Sequence, residues 1–221
     1  MLAGLDWHVA LLQEVPPRWV EPLREATGAA GELVLTSRNR LGWLRGKLAD
    51  LNPDLMASGE GGSNQLLVRP PWRIEGVRHH TLTERPERRR MLFADLSGPD
   101  GTRLAVANLH GTTGHGPEAG AQIVAAAERA IEWAGDIPLL FGGDLNLRPR
   151  RAPEPFEQLQ QGLGLSAPMD RGAIDHLLVR GLRPVDGPRS LPPEAREVRG
   201  PAGRVIRLSD HPLVAGSFEV E

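Results

Sequence analysis

Four short apolar or alternating runs follow one another between residues 65 and 109: Gln65–Arg69, Trp72–Leu82, Arg90–Leu96 and Arg103–Leu109. Proline, glycine or aspartate bounds each run, and Ser97-Gly98-Pro99-Asp100-Gly101 reads as a hairpin-type turn. Runs this short, at the roughly 8–12-residue spacing of stacked sheets, are strands rather than helical stripes. A chain punctuated in this way builds its core from paired sheets, with helices added outside.

The remaining segments fit that frame. Val9–Gln13 reads as a buried strand ending at Glu14, and Pro16-Pro17 stops it. Trp19–Thr27 is a short amphipathic helix ended by Gly28, and Glu32–Thr36 a second strand. Arg38–Ala57 carries no assignable pattern. Pro117–Ala134 is the one strong helix, with Ile123, Ala127, Ala130, Ile131 and Ala134 on one stripe. Ile137–Phe141 is a buried strand, Glu154–Gln161 a short helix, and Ala173–Val179 and Pro212–Val220 are late strands. Arg180–Arg204, rich in proline and charge, reads as a long surface loop. Strands and helices mix without regular alternation, so the fold class is α+β, a sandwich of sheets in one domain over 1–221.

Composition removes several functions. The chain has no cysteine, which excludes disulfides, thiol nucleophiles and thiolate metal sites. Its net charge of −2 excludes a generally basic nucleic-acid coat protein but leaves room for a local basic groove. No apolar run approaches about 18 residues, so no membrane span is expected. The first residues show no export signal, so a cytoplasmic monomer is expected.

Five polar motifs sit at strand ends or just after apolar runs: LLQEV (Leu11–Val15), ANLHG (Ala107–Gly111), GGDLN (Gly142–Asn146), IDHLLV (Ile174–Val179) and SDHP (Ser209–Pro212). A strand end holds a side chain rigidly at the rim of a sheet, where catalytic groups belong. The motifs supply Glu14, Asp144, Asp175 and Asp210 as carboxylates, with His110, His211, Asn108 and Asn146. Hard oxygen donors suit Mg2+ or Mn2+. Carboxylates with a His–Asp pair suit metal-assisted attack of water on phosphorus. Asn108 and His110 share one face at i, i+2, whereas His176 lies on the opposite face from Asp175 and reads as structural. Of the arginine clusters, Arg85 with Arg88–Arg90 reads as a solvated face. Arg148, Arg150 and Arg151 follow GGDLN directly and form a candidate phosphate patch. Arg69 is a weaker candidate for a phosphate contact.

The ordered set QE, NxH, GDLN, IDH and SDHP resembles the endonuclease/exonuclease/phosphatase superfamily from Leu11 to Val214, and GSNQLLVR (Gly62–Arg69) resembles its strand before two central hairpins. The resemblance implies a four-layered αββα sandwich with the site at one edge of the paired sheets. It implies Glu14 as a metal ligand, with Asp210 at or near the metal. It makes His110 the phosphate-binding and acid-assisting histidine, and Asp144 the group that orients or deprotonates water. Asn146 would hold the phosphate, and His211 would bind phosphate or act as base, with Asp175 pairing to it. Asn108 and Arg148 would face the substrate. The family's opening strand, whose Asn serves the metal site, is expected to be missing from this chain, through either a late-called start or a real loss, because Asp6-Trp7-His8-Val9 fits the stretch leading straight into the QE strand. The resulting expectation is a compact Mg2+- or Mn2+-dependent phosphodiesterase, foremost a nuclease. A phosphomonoesterase on a small sugar or inositol phosphate is the second reading. An inactive binding module of the same fold is the third.

Overall fold

The computed structural model describes residues 2–36, 62–85, 88–114, 116–200 and 203–220. The unassigned stretch Arg38–Ala57 and the loop residue His115 lie outside them. Strands β1 (Val9–Val15), β2 (Ala30–Leu35) and β3 (Ser63–Val68) form an antiparallel sheet in the order β1-β3-β2. Strands β4 (Arg73–Thr83), β5 (Arg89–Ser97), β6 (Arg103–His110), β7 (Leu139–Asp144) and β8 (Asp175–Arg180) form a second sheet in chain order. Only β6 and β7 run parallel. A parallel pair needs a crossover, and helix α2 (Pro117–Ala134) supplies it.

Alternation along the strands assigns the layers. Met91 and Phe93 of β5, Leu139 and Phe141 of β7 and Leu178 of β8 pack under Ile123, Ala126, Ala127 and Ala130 of α2. The intervening Leu92, Ala94 and Leu96, with Val106, Leu140 and Val179, face Val34, Leu66 and Val68 of the small sheet. A small apolar stripe on α2 lets the helix sit close to the large sheet, so both faces of β5–β8 are dry. Helix α1 (Val20–Thr27) covers the outside of the small sheet. A Cβ at Gly31 of β2 would lie 2.8 Å from Leu67 and 3.0 Å from Arg24 of α1, so the close approach needs glycine there. The order of layers is therefore α1, small sheet, large sheet, α2, the expected αββα sandwich.

Two readings change. The strand expected to stop at Phe141 runs on through Gly142, Gly143 and Asp144. A Cβ at Gly142 would meet the His176 carbonyl oxygen at 2.5 Å, and one at Gly143 the Leu109 carbonyl oxygen at 2.1 Å. The two glycines are thus what lets β7 thread between β6 and β8 as far as Asp144. The short helix expected over Glu154–Gln161 is present, with α3 (Pro153–Glu157) continuing as a wider π turn over Gln158–Gly162. The expected loop Arg180–Arg204 instead contains β9 (Leu182–Ser190) and β10 (Glu197–Arg199). Among the described residues, strand β9 pairs only with β12 (Val214–Val220), and β10 with β11 (Val205–Arg207). Prolines 184 and 188 conceal β9 in the sequence but are tolerated, because a two-stranded ribbon leaves each strand one edge without ladder bonds.

Candidate active site

The register of the large sheet sets three motif residues side by side. His110 at the end of β6 pairs with Asp144 at the end of β7, and Asp144 pairs with Asp175 at the start of β8. No loop is needed to bring them together. The fourth group arrives from the far end of the chain: His211 places Nδ1 3.0 Å from Asp175 Oδ2 and 3.2 Å from Oδ1. Asp144, Asp175 and His211 can each offer a ligand atom within 4.8 Å of the others.

Backbone geometry tightens this arrangement. Asn146 has φ 53°, a left-handed conformation that asparagine tolerates better than most residues. It turns the chain so that the Asn146 backbone N–H donates to Asp144 Oδ1 at 2.9 Å, while its Nδ2 donates to the Gly111 carbonyl at 3.0 Å. Asn146 thus ties GGDLN to ANLHG. Glu14 also has a positive φ, 57°, within a register shift of β1 between Leu12 and Val15. The bulge leaves the side chain 75% exposed, with Oε1 3.9 Å from His110 Nδ1.

Burial separates the proton affinities. The Asp144 carboxyl is pushed up to about 6, chiefly by burial and then by the negative charges of Asp175 and Glu14, against the bond from Asn146 and the charge of His211. His110 is driven down to about 3 by burial, by the Arg89 guanidinium and by His211. Its ring is therefore neutral at pH 7. His211 goes the other way. Burial lowers its proton affinity, but the bond to Asp175 and the charges of Asp175, Asp144 and Asp210 outweigh that, and the net shift is upward.

The donor set fits a hard divalent cation. A carboxylate whose proton affinity is raised by burial and by its neighbours' negative charges, as that of Asp144 is, is relieved by a cation beside it, and the carboxylate oxygens match Mg2+ or Mn2+. Because Asp144 must lose its proton to bind metal, Mg2+ or Mn2+ affinity should rise about tenfold per pH unit below 6 and level off above it. Calorimetric titration from pH 5 to 7.5 in two buffers measures both the affinity and the released proton. Flat affinity over that range would disconnect Asp144 from the metal.

Other expected residues lie elsewhere or do other work. Glu14 and Asp210 are not in the compact group. Asp210 is exposed; its carbonyl oxygen accepts from Arg196 at 2.7 Å, while its carboxylate charge bears on His211. Asn108, expected at the substrate, is fully buried. Its Oδ1 accepts from Gln13 at 2.7 Å, and its Nδ2 donates to the Gln65 and Leu12 carbonyls at 2.8 and 3.2 Å. It is a strut between the two sheets, with both amide hydrogens and one oxygen lone pair spent on protein partners. Asn108→Ala should cost about 2–4 kcal/mol, because it strands buried partners, and should shift the urea midpoint accordingly. Arg148 gives Nε to the Gly172 carbonyl at 3.1 Å and fixes the loop before β8. Arg69 donates to the carbonyls of Leu2, Leu5 and Thr27 and stacks on Trp7 at 4.1 Å, so it anchors the chain before β1 and does not reach the site. His176 is buried against Phe156, as its position opposite Asp175 implied.

One residue went unseen. Arg89, read as part of a solvated cluster, is 5% exposed and places Nη1 2.8 Å from His110 Nδ1. The signal available was pairing. Once β5 and β6 are aligned with Met91 opposite Leu109, two more places set residue 89 beside the end of β6.

By its family the chain is a hydrolase of phosphate esters. The chain belongs to the Endonuclease/Exonuclease/phosphatase family, whose sequence profile matches residues 1–211. Solved structures of the same fold include an endonuclease/exonuclease/phosphatase family protein from Bacteroides thetaiotaomicron, at 15% identity and TM-score 0.70, covering 98% of this chain and 82% of that one. The mannosyl-6-phosphatase of the same organism gives 14% identity and TM-score 0.69, over 97% and 86%. TDP2 from D. rerio, in complex with a single-strand DNA product, gives 17% identity and TM-score 0.64, over 96% and 86%. No curated protein matches by sequence. Among the described residues no helix is long and apolar enough to cross a membrane.

Proposed function

We propose that the chain is a Mg2+- or Mn2+-dependent phosphodiesterase of nuclease type. The observation that carries this reading is the row His110, Asp144, Asp175 across three adjacent strands, closed by His211 on Asp175. Asp144 and Asp175 would hold the ion, Glu14 beside them and Asp210 next to His211 would add carboxylate oxygens, and a bound ion would supply Lewis acidity at a phosphoryl oxygen.

The chain's own groups divide the remaining work. Asp175 receives His211 Nδ1–H and so leaves Nε2 to accept a proton from the attacking water. Asp144, ionised above pH 6, orients that water. His110 presents a neutral ring to the phosphate. Asn146 holds the turn that fixes Asp144. The products would be a phosphate monoester and a free hydroxyl.

Hydrolysis of bis-p-nitrophenyl phosphate, p-nitrophenyl phosphate and plasmid DNA, with and without Mg2+ or Mn2+, tests this. Metal-dependent diester or DNA cleavage, abolished by EDTA, is expected. Cleavage of the monoester alone would favour the phosphomonoesterase reading, for which the mannosyl-6-phosphatase fold neighbour is the precedent.

A further inference from the structure

Arg89 stands apart from every role given above. Its guanidinium is buried at the start of β5, with Nη1 2.8 Å from His110 Nδ1. A guanidinium has five N–H donors, no acceptor, and never loses its proton in a protein. At 2.8 Å two N–H groups cannot face each other, so Nδ1 of His110 must present a lone pair. Glu14 Oε1, at 3.9 Å from the same nitrogen, is beyond hydrogen-bond reach and does not compete for a proton there. The ring proton then belongs on Nε2, the nitrogen 3.4 Å from Asp144 Oδ2 and turned into the carboxylate cluster.

We propose that Arg89 is the positioning residue of the site, fixing His110 as the Nε2–H tautomer so that it offers a hydrogen-bond donor, and no lone pair, to a phosphoryl oxygen. The inference deepens the phosphodiesterase reading and rests on it only for the identity of the oxygen. The ring's proton placement follows from contact with a group that has no acceptor, whatever the substrate. Two consequences come with it. His110 is withdrawn from metal coordination, because one nitrogen is occupied and the other protonated. The donor is also set before substrate binds, which is where fixed dipoles contribute most to stabilising developing charge.

The test is NMR of the full chain labelled with 15N-histidine, at pH 7.5, with the His110 resonances assigned from His110→Gln. Wild type is expected to show His110 protonated on Nε2 and bare on Nδ1. Arg89→Lys, which keeps a donor, should preserve that pattern. Arg89→Met should give mixed tautomers. With the metal present, Arg89→Met should lower kcat on bis-p-nitrophenyl phosphate by about 10- to 100-fold, the usual loss when the partner that orients a site histidine is removed, with KM changed far less. Arg89→Lys should recover most of kcat. A wild-type His110 carrying its proton on Nδ1 would overturn the proposal even if Arg89→Met does not fold. So would an Arg89→Met protein with unaltered tautomer and kcat. If wild type shows the Nε2–H ring yet cleaves no phosphoester, the phosphodiesterase reading fails and the positioning of His110 stands.

Discussion

Replacing Asp144 by asparagine should lower kcat/KM by about a thousandfold, or some 4 kcal/mol of transition-state stabilisation, and leave the fold intact. Asparagine has the same shape, and its amide oxygen can still accept the 2.9 Å bond from the Asn146 backbone. What it removes is the charge that, on the proposed mechanism, orients water and neutralises a cation. That charge is held at a cost: burial and the neighbouring Asp175 and Glu14 carboxylates push Asp144 up to about 6. Asp144→Asn should therefore melt no lower than wild type, and somewhat higher at pH 8, where the native carboxylate is fully ionised. Loss of activity with stability preserved is the mark of a group kept for chemistry. Steady-state hydrolysis with a thermal melt checks both halves. Turnover within tenfold of wild type would remove Asp144 from the mechanism.

Gly143→Ala should have the opposite character, a large loss of stability, about 4 kcal/mol or more. The backbone at Gly143 has φ 123°, where an L side chain is strained, and its Cβ would lie 2.1 Å from the Leu109 carbonyl oxygen. Neither strand can give way, because β6 and β7 are locked in register on both sides of the contact. Gly162→Ala makes the comparison fair. Nothing lies within 4 Å of a Cβ there, and its φ is not in the positive range, so the change should be neutral or slightly stabilising. Urea unfolding of the pair measures the difference. Equal midpoints would mean that the glycines of GGDLN are not structural.

The sequence revealed the site where single residues declare their chemistry. Asp144, Asp175, His110 and His211 each end or begin a strand in a motif, and the family order put them together. It also placed Asp175 on His211, a pairing that the 3.0 Å contact reproduces. What it could not show was direction. Asn108 shares a face with His110, yet that face looks onto the small sheet at Asn108, so its amide is spent on Gln13, Leu12 and Gln65. Arg89 sits in a run of three arginines that look alike until β5 is paired with β6. Arg69 reads as a cation for phosphate until three backbone carbonyls claim it. In the same way, β9 was hidden because propensity counts prolines against a strand without knowing that the strand has a free edge.

The Asn108 strut has a further consequence, for how the molecule comes apart. It joins β6 of one sheet to β1 and β3 of the other, and Glu14 lies on β1 while His110 and Asp144 lie on β6 and β7. The candidate site residues thus belong to two sheets that meet only when the inter-sheet core has closed. No part of the chain opened by itself would keep a working centre. Amide hydrogens at the Glu14 bulge and at the end of β6 would exchange with solvent through one shared, near-global opening event, and partially unfolded forms would be silent in any assay.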